Sequence, residues 1–340
     1  MKDKLIYFLE LTGFTWFIPL VKLGAGESAK HQLQDLAKMV GVPMFAIVVF
    51  LLFWHMGAAK IITSLGQVPG PTQVWEQTNV LIDEHYQERE REQAFIERQE
   101  KRNAIKLEKN PDAEVSIRPY TGKETYFDQI LTSLATVFVG FLLASVIAIP
   151  VGIVAGLSNT LYSALNPLIQ IFKPVSPLAW LPIVTMVVSA LYVSDDPLFS
   201  KSFVTSAITV MLCSLWPTLI NTAVGVSSID KDLINVARVL RLNYLTTIYK
   251  VVIPASIPMI FTGLRISLGI GWMVLIAAEM LAQNPGLGKF VWDEFQNGSS
   301  SSLSRIMVAV LTIGIIGFIL DRVTLSFQKF FSYDKNAMIR

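Results

Sequence analysis

Composition places this 340-residue chain among membrane proteins, since 52% of its residues are hydrophobic, 16% are charged and the mean hydropathy is +0.51. Its net charge of +2 gives no indication of a nucleic-acid partner. The single cysteine, Cys213, lies in an apolar run, which excludes an intramolecular disulfide. The histidines His31, His55 and His85 lack the spacing of metal ligands, so we expect no metal site.

Residues 1–62 predict one helix on the membrane surface and one helix across the membrane. The apolar stretch Leu5–Leu23 is interrupted by Glu10, and a charge at mid-depth in a bilayer is costly. We therefore assign residues 1–38 to an N-terminal interfacial segment. Residues 39–62 begin with a charge-free apolar stretch whose length suits the first transmembrane helix.

A charged insert lies in residues 63–128, the predicted external loop. The loop opens with turn-forming residues and a short helix that together reach residue 82. The following segment, 83–124, carries charges of both signs at close spacing. This pattern favours a solvated helix stabilised by ion pairs, with a docking surface for a partner as the alternative.

Residues 129–330 contain five further apolar segments. The first hydrophobic block is too long for one span and is broken at Asn159. Gly152 and Gly156 in this block give a small-residue face for close packing of helices. The predicted spans are Ile130–Leu157, Leu178–Tyr192, Phe203–Val226, Pro258–Ala282 and Ile306–Leu320. With the first helix they make six, and residues 331–340 form a cytoplasmic tail.

A polar, helix-prone island separates the third and fourth of these core spans. Asp230 is a candidate N-cap, since its carboxylate can accept hydrogen bonds from first-turn amides. Pro254 and Pro258 then mark the re-entry of the chain into the bilayer. Apolar residues that recur every three or four positions are Leu233, Ala237, Leu240 and Tyr244. They share one face, so residues 228–249 are predicted to form a short amphipathic helix.

Basic residues near the span ends place both termini, and the island, in the cytoplasm. The cytoplasmic side collects the basic residues of the N-terminal segment, the island and the tail, among them Lys22, Lys38, Lys231, Arg238 and Arg322. The opposite side holds Lys201, Lys289 and Arg305 in short loops. The charged insert is also external, but long translocated loops largely escape the rule.

Nucleotide-binding and hydrolase motifs are missing from the sequence. The nearest candidate, Gly286-Leu-Gly288-Lys289, lacks the earlier glycine of a phosphate-binding loop and is followed by Phe290. No His-Glu-x-x-His and no Gly-x-Ser-x-Gly are present. We therefore expect the chain not to be an enzyme, and any ATP hydrolysis to belong to another subunit.

The island resembles the cytoplasmic signature loop of ABC importer permeases. That pattern runs Glu-Ala-Ala, three residues, Gly, nine residues, Ile, one residue, Leu-Pro. The corresponding positions here are Asn235-Val236-Ala237, then Arg241, then Val251, Ile253 and Pro254. The last alanine, the aliphatic positions and the proline match, whereas the glutamate and the glycine do not. An arginine adopts the left-handed conformation of a glycine only at a cost.

From about residue 132 to residue 330 the chain resembles permeases of the nitrate, sulfonate, taurine and bicarbonate importers. The matching landmarks are IPVGIVAGL, NPLIQIFKPVSPLAWLPI, LWPTLINTAVGVSSID, TGLRISLGIGWMVLIAAEM, GLGKFVWDE and GIIGFILDR. The stretch AAEMLAQNPGLGKFVWDEF is most similar to nitrate permeases, with bicarbonate permeases very near. The insert 83–124 is longer than we expect for this family.

The resemblance implies an all-α membrane protein with six transmembrane helices and the type I ABC importer permease fold. It implies a homodimer in the bacterial inner membrane, two cytoplasmic ATPase subunits that bind ATP and Mg²⁺, and an external substrate-binding protein. Helix 228–249 would couple to the ATPases. The substrate would be a small anion, with nitrate or nitrite first, bicarbonate second, and a sulfonate or taurine third.

Two sets of site residues follow from the resemblance. The ATPase-coupling set is Asp230, Asn235, Ala237, Arg238, Leu240, Arg241, Asn243 and Tyr244, with the small Ala237 as the point of close approach. The translocation-path set is Arg265, Trp272, Glu279, Trp180 and Trp216. No cofactor is expected in this chain itself.

Arg265 has two open interpretations. It lies seven residues beyond Pro258, about 10 Å into a membrane helix, so it should face protein or water. It provides a positive field for an anion, or it caps carbonyls near the prolines or pairs with a carboxylate on a neighbouring helix. The alternative class of protein is an ion-coupled secondary carrier, which would need ionisable groups at mid-membrane.

Overall fold

A computed structural model of the chain describes residues 5, 6, 9, 15–26, 28–63, 66–110, 115–193 and 198–331. Within these residues the chain is helical apart from short connections and one two-stranded hairpin. The predicted interfacial segment 1–38 falls partly outside the described residues, as do residues 332–340 of the predicted tail and the loop at Asp195–Pro197.

The N-terminal part ends in a long apolar helix. Helices α1 (Ile18–Gly24) and α2 (Ala29–Leu36) precede a π-helical turn, Ala37–Gly41, and α3 (Val42–Ala58). The continuous helical stretch Lys30–Ala58 is long and apolar enough to cross a membrane, and none of its apolar window is buried in the isolated chain. An uncovered apolar span of this kind is suited to contact with lipid or with other membrane helices.

The charged insert begins within one long helix, α4 (Pro71–Lys109), and its described residues 115–124 are not helical. Helix α4 follows a small hairpin of β1 (Ile62–Thr63) and β2 (Gly66–Gln67). The expectation of a loop with only a short helix up to residue 82 is wrong, because α4 begins at its first-turn proline and runs through. Gln73 Oε1 accepts from Gly70 N at 2.9 Å and so caps the helix start. At 39 residues, α4 is about 58 Å long.

The membrane core consists of long helices joined by short ones. They are α5 (Tyr126–Leu157), α6 (Asn159–Phe172), α7 (Pro177–Leu191), α8 (Lys201–Ser227), α9 (Lys231–Val239), α10 (Tyr244–Thr247), α11 (Ile253–Ala282), α12 (Leu287–Asn297) and α13 (Ser302–Phe331). In the described chain, five helices are long and apolar enough to cross a membrane. The predicted all-α membrane architecture is confirmed.

The sixth candidate span is broken. The sequence predicts Leu178–Tyr192 as a short span that its flanking residues complete. Helix α7 has 15 residues and is about 22 Å long, short of a hydrocarbon core of about 30 Å. It forms a pair with α6, and the two helices are bent by 99° at their junction. The pair is therefore either one broken span or a re-entrant loop.

Glycines bring α5 and α8 into backbone contact, as the sequence predicted for Gly152 and Gly156. A Cβ atom added at Gly152 would lie 2.8 Å from Leu219 O, and one at Gly156 would lie 2.6 Å from Ala223 O. Lipid tails are as apolar as the helix surfaces, so the hydrophobic effect does not drive helices together in a membrane. Close packing of this kind holds them together instead.

Candidate coupling and translocation sites

The polar island folds as two helices rather than one. Helix α9 begins after Asp230, whose carboxylate accepts from Asp232 N at 2.9 Å, so the predicted N-cap is confirmed. It ends at Val239, and α10 starts after Asn243, whose side chain accepts from Thr246 N at 2.8 Å. The expectation of one continuous helix over 228–249 is therefore wrong.

Arg241 causes the break between the two helices. Its φ of +48° places it in the left-handed region, at the position where the signature pattern has a glycine. Leu242 N donates to Ala237 O at 3.0 Å, and Arg241 N donates to Arg238 O at 3.0 Å. These bonds satisfy carbonyl groups at the end of α9. Their stabilisation offsets the energetic cost of a left-handed conformation at a non-glycine residue, which is about 1–2 kcal/mol. This chain thus has a left-handed turn at the glycine position of the signature pattern, formed by an arginine.

Apolar side chains cover the outside of this turn. Val239 is 82% exposed, and Val236, Leu240, Tyr244 and Leu245 are each more than half exposed. A contiguous exposed apolar surface of this kind indicates a contact site for protein or membrane. We call it the coupling surface, defined by Val236, Val239, Leu240, Tyr244 and Leu245.

Ala237 does not belong to the coupling surface. It is 3% exposed, because it packs inside its own chain. The other seven residues of the predicted coupling set are exposed. The expectation that Ala237 forms the point of close approach to a partner is therefore wrong in this structure, since a partner cannot reach it.

Arg265 pairs with a carboxylate on a neighbouring helix, one of the alternatives that the sequence left open. Its Nε donates to Asp321 Oδ1 at 2.5 Å, and its Nη2 donates to Asp321 Oδ2 at 2.9 Å. Such a two-pronged bond uses the planar fork of arginine and fixes the relative position of α11 and α13. The charge of Arg265 is thereby matched inside the described chain.

Glu279 lies in a sealed polar junction at the other end of α11. It is fully buried, and its carboxylate accepts from Ser133 Oγ at 2.8 and 2.9 Å and from Gly288 N at 3.0 Å. Ser133 Oγ in turn accepts from Leu287 N at 2.8 Å, and Asn284 Nδ2 donates to Thr136 Oγ1 at 3.1 Å. Three helices, α5, α11 and α12, are held together at this point.

Two glycines make room for the junction. A Cβ at Gly286 would lie 2.2 Å from Glu279 Oε1, and one at Gly288 would lie 2.2 Å from Ile276 O. The sequence analysis missed Ser133, Gly286 and Gly288 as partners of this carboxylate. The sequence feature that could have indicated this site is a glutamate inside an apolar run, followed within ten residues by Gly286-Leu-Gly288.

The predicted path residues divide into two groups. Trp272 is buried, and its Nε1 donates to Ile313 O of α13 at 3.0 Å, on the side where Arg265 also meets α13. Trp180 and Trp216 instead both contact the ring of Phe172, with ring-centroid distances of 5.8 and 6.2 Å. The structure thus brings these two tryptophans together where the broken pair α6–α7 meets α8.

The two indole groups share an unusual feature. Within the described residues, neither Trp180 Nε1 nor Trp216 Nε1 has a hydrogen-bond acceptor, although both atoms are buried. A buried donor without an acceptor is costly, so such groups call for an explanation. An indole N–H is a donor only, which suits it to an anion.

Comparison with known proteins agrees with this architecture. The family described as "Binding-protein-dependent transport system inner membrane component" matches residues 148–332, more than half of the chain. The chain belongs to this family, the inner-membrane permease components of ABC importers.

Among individual proteins, the chain is similar to permeases for nitrate and for bicarbonate. The chain is 40% identical over 195 residues to the nitrate import permease NrtB of Leptolyngbya laminosa, a match that covers 57% of this chain and 65% of that protein. It is 41% identical over 197 residues to the bicarbonate permease CmpB of Synechococcus elongatus, over 58% of this chain and 66% of that protein. The chain thus spans slightly less than two thirds of the length of these relatives.

Two further comparisons complete the picture. A putative ABC transporter permease of Methanocaldococcus jannaschii is 36% identical over 212 residues, which cover 61% of this chain and 74% of that protein. An inward-facing structure of the MetNI methionine ABC transporter aligns with a TM-score of 0.48 and 16% identity, over 58% of this chain and 94% of that chain. The insert helix α4 lies before the residues that the family matches.

Proposed function

We propose that this chain forms the translocation path of an ATP-driven importer for a small inorganic anion, with nitrate or nitrite as the first candidate. The observation that carries the proposal is the 40% identity to a nitrate import permease over 195 residues. Bicarbonate is the second candidate, because the similarity to a bicarbonate permease is almost equal. A sulfonate or taurine is the third.

The working complex would contain two copies of this chain, two cytoplasmic ATPase subunits and an external substrate-binding protein. ATP and Mg²⁺ would bind to the ATPases, in line with the lack of a phosphate-binding loop in the sequence of this chain. Both termini would lie in the cytoplasm, as the distribution of lysine and arginine indicates. This topology puts the coupling surface on the side where an ATPase can reach it.

Coupling to the ATPase would run through the turn at Arg241. The coupling surface supplies apolar area, and the exposed Asn235, Arg238, Arg241 and Asn243 supply a polar rim around it. An apolar centre with a polar rim is the usual composition of a protein interface. Helix α10 continues through the π-helical turn Ile248–Val252 into α11, so a movement of the surface is passed directly to a membrane helix.

The anion would pass the broken helix pair α6–α7. The unpaired indole N–H groups of Trp180 and Trp216 would serve as donors to it there. Arg265 would hold α11 to α13 rather than bind the anion, since its Nε and Nη2 groups both donate to the carboxylate of Asp321. Trp272 and Glu279 would support the same helices from inside.

Reconstitution of the whole complex tests the proposal. Binding protein loaded with nitrate should stimulate ATP hydrolysis in liposomes, whereas binding protein loaded with a sulfonate should not. Stimulation by bicarbonate alone would transfer the assignment to the second candidate. Ion-driven uptake without any ATPase subunit would point to a secondary carrier and overturn the proposal.

The orientation can be tested separately in whole cells. In a Cys213→Ala background, Glu100→Cys should react with an impermeant thiol reagent from outside, and Asn243→Cys should not. Both positions are exposed in the isolated chain, so accessibility depends on the side of the membrane. The reverse labelling would contradict the topology.

A further inference from the structure

The charges of α4 are segregated along its length. The stretch from Pro71 to Glu97 holds seven acidic and two basic residues, a net charge of −5, whereas Arg98 to Lys109 holds five basic and two acidic residues, a net charge of +3. A solvated helix that needs only internal ion pairs would intermix the two signs. Segregation over this length points to a partner.

An acidic stripe follows one face of the helix. Glu76, Asp83, Glu90 and Glu97 are exposed and stand seven residues apart, close to two helical turns. Ala94 and Lys101 continue the same face, and both are exposed. Beyond the small Ala94, this exposed side of α4 gains the basic residues Arg98 and Lys101, and Lys101 also lies 3.8 Å from Glu97.

The opposite face of α4 is already covered by the chain itself. In its first half, Val74 and Leu81 are buried, and Arg89 Nη2 donates to Asp128 Oδ2 at 2.7 Å. In its second half, α4 is lined by residues 115–124, which we call the strap. Helix α4 is thus anchored on the core by one face only.

Side-chain contacts attach the strap to α4. Gln99 exchanges two hydrogen bonds with the backbone of Arg118, at 3.0 and 2.9 Å, and the rings of Phe95 and Tyr120 are 5.4 Å apart. Tyr120 O–H donates to Glu88 Oε1 at 2.7 Å, which holds the pKa of this carboxyl below its ordinary value. A braced helix keeps its exposed face available for a contact.

A second copy of α4 is the partner that fits this charge distribution. In a two-fold contact the same surface is used by both copies, and residue i of one copy meets residue j of the other. When two α4 helices cross in antiparallel directions, the basic stretch Arg98–Lys109 of each lies beside part of the acidic stretch Pro71–Glu97 of the other. A parallel arrangement would bring like charges together, and a partner of one charge would satisfy only one half.

We infer that the α4 helices of two copies cross antiparallel near Ala94 on the external face of the complex. The inference rests on the homodimer of the proposed function, but not on its substrate. With Ala94 opposite itself, Glu90 lies opposite Arg98, and Asp83 lies opposite Ile105; these side chains are exposed. Exposed ion pairs add little affinity, so their part is to fix orientation and register.

Cysteine cross-linking in native membranes tests the crossing. In a Cys213→Ala background, Ala94→Cys should give a disulfide-linked dimer on mild oxidation, since a disulfide needs Cα atoms about 4.4–6.8 Å apart. Asp83→Cys and Ile105→Cys should not cross-link with themselves, because each pair of copies is separated by about 33 Å along the helices. Coexpressed, they should cross-link with each other.

Charge reversal provides the matched control. Glu90→Arg alone should reduce the Ala94→Cys cross-link about tenfold, and Glu90→Arg combined with Arg98→Glu should restore it. Because exposed charges are screened over about 8–10 Å, high salt should reduce the sensitivity to both variants. An equal loss in the single and double variants would contradict the pairing.

The outcomes separate this inference from the proposed function. Nitrate stimulation of the reconstituted complex without any cross-link at Glu90, Ala94 or Arg98 positions would overturn the crossing and leave the transport assignment intact. A cross-link in a complex whose ATP hydrolysis is not stimulated by nitrate would support the crossing and contradict the assignment of nitrate as the substrate. Protection of Ala94→Cys by the substrate-binding protein, with no dimer formed, would assign this face to that protein and also overturn the inference.

Discussion

The two ends of α11 are built on opposite principles. At its C-terminal end, Gln283 adopts a left-handed conformation and the chain turns into the sealed junction around Glu279, where the buried carboxylate finds its partners within the chain. At its N-terminal end, Arg241 also adopts a left-handed conformation, but the chain around it exposes the coupling surface.

From this difference we expect the N-terminal end of α11, and not its C-terminal end, to depend on a partner. A buried carboxylate is stable only where its hydrogen bonds are supplied, and the junction supplies them from three helices. An exposed apolar surface is stabilised only when something covers it. We therefore expect substitutions at the junction to affect the permease itself, and substitutions at the coupling surface to affect its assembly with an ATPase.

The largest effect is expected for Gly288→Ala in the junction. The added Cβ would lie 2.2 Å from the backbone carbonyl oxygen of Ile276, which cannot move without shifting α11. Overpacking of this kind costs about 3 kcal/mol, and it should reduce the thermal stability and yield of detergent-solubilised protein. Gly269→Ala, on α11 itself, is the control, since nothing lies within 4 Å of its added Cβ. Equal stability of the two variants would show that the junction is not rigid.

A smaller effect is expected where α11 meets α13. Arg265→Gln leaves Asp321 without its two-pronged partner and should cost about 2 kcal/mol of stability. Adding Asp321→Asn should recover much of this loss, because the unpaired charge is removed. Thermal melts of the single and double variants measure the coupling. Full stability of Arg265→Gln, with uptake lost, would restore the alternative in which this arginine acts on the anion.

The other end of α11 should respond without any loss of stability. Val239→Asp places a charge at the most exposed apolar position of the turn and should weaken ATPase binding about tenfold, or about 1.4 kcal/mol. Its melting temperature should match that of the unmodified chain. Ala237→Leu should do the reverse, since Ala237 is buried in the chain. Copurification of the ATPase with each variant, beside a thermal melt, separates the two effects.

The smallest effect is expected for Arg241→Gly, and it should be a gain. Glycine adopts φ near +48° without steric cost, so the isolated permease should be stabilised by about 1 kcal/mol. The hydrogen bonds that close α9 involve backbone atoms only and should persist. A decrease in melting temperature would show that the arginine side chain makes a stabilising contact that outweighs its backbone conformation.

The sequence by itself determined the class of this protein. Charge-free runs of membrane length, the N-cap at Asp230 and the glycine face at Gly152 and Gly156 all follow from local composition and spacing, because lipid demands apolar, internally hydrogen-bonded segments. The loop motif and its apolar flanks likewise indicated a permease. These features need no knowledge of which helices are neighbours.

Tertiary structure decided the rest. The partners of Glu279 lie 146 residues away at Ser133 and nine residues away at Gly288, and Asp321 is 56 residues from Arg265. A periodic pattern can place a side chain on a face, but it cannot say which helix that face meets. For the same reason Ala237, chosen as a contact for a partner, is buried within its own chain.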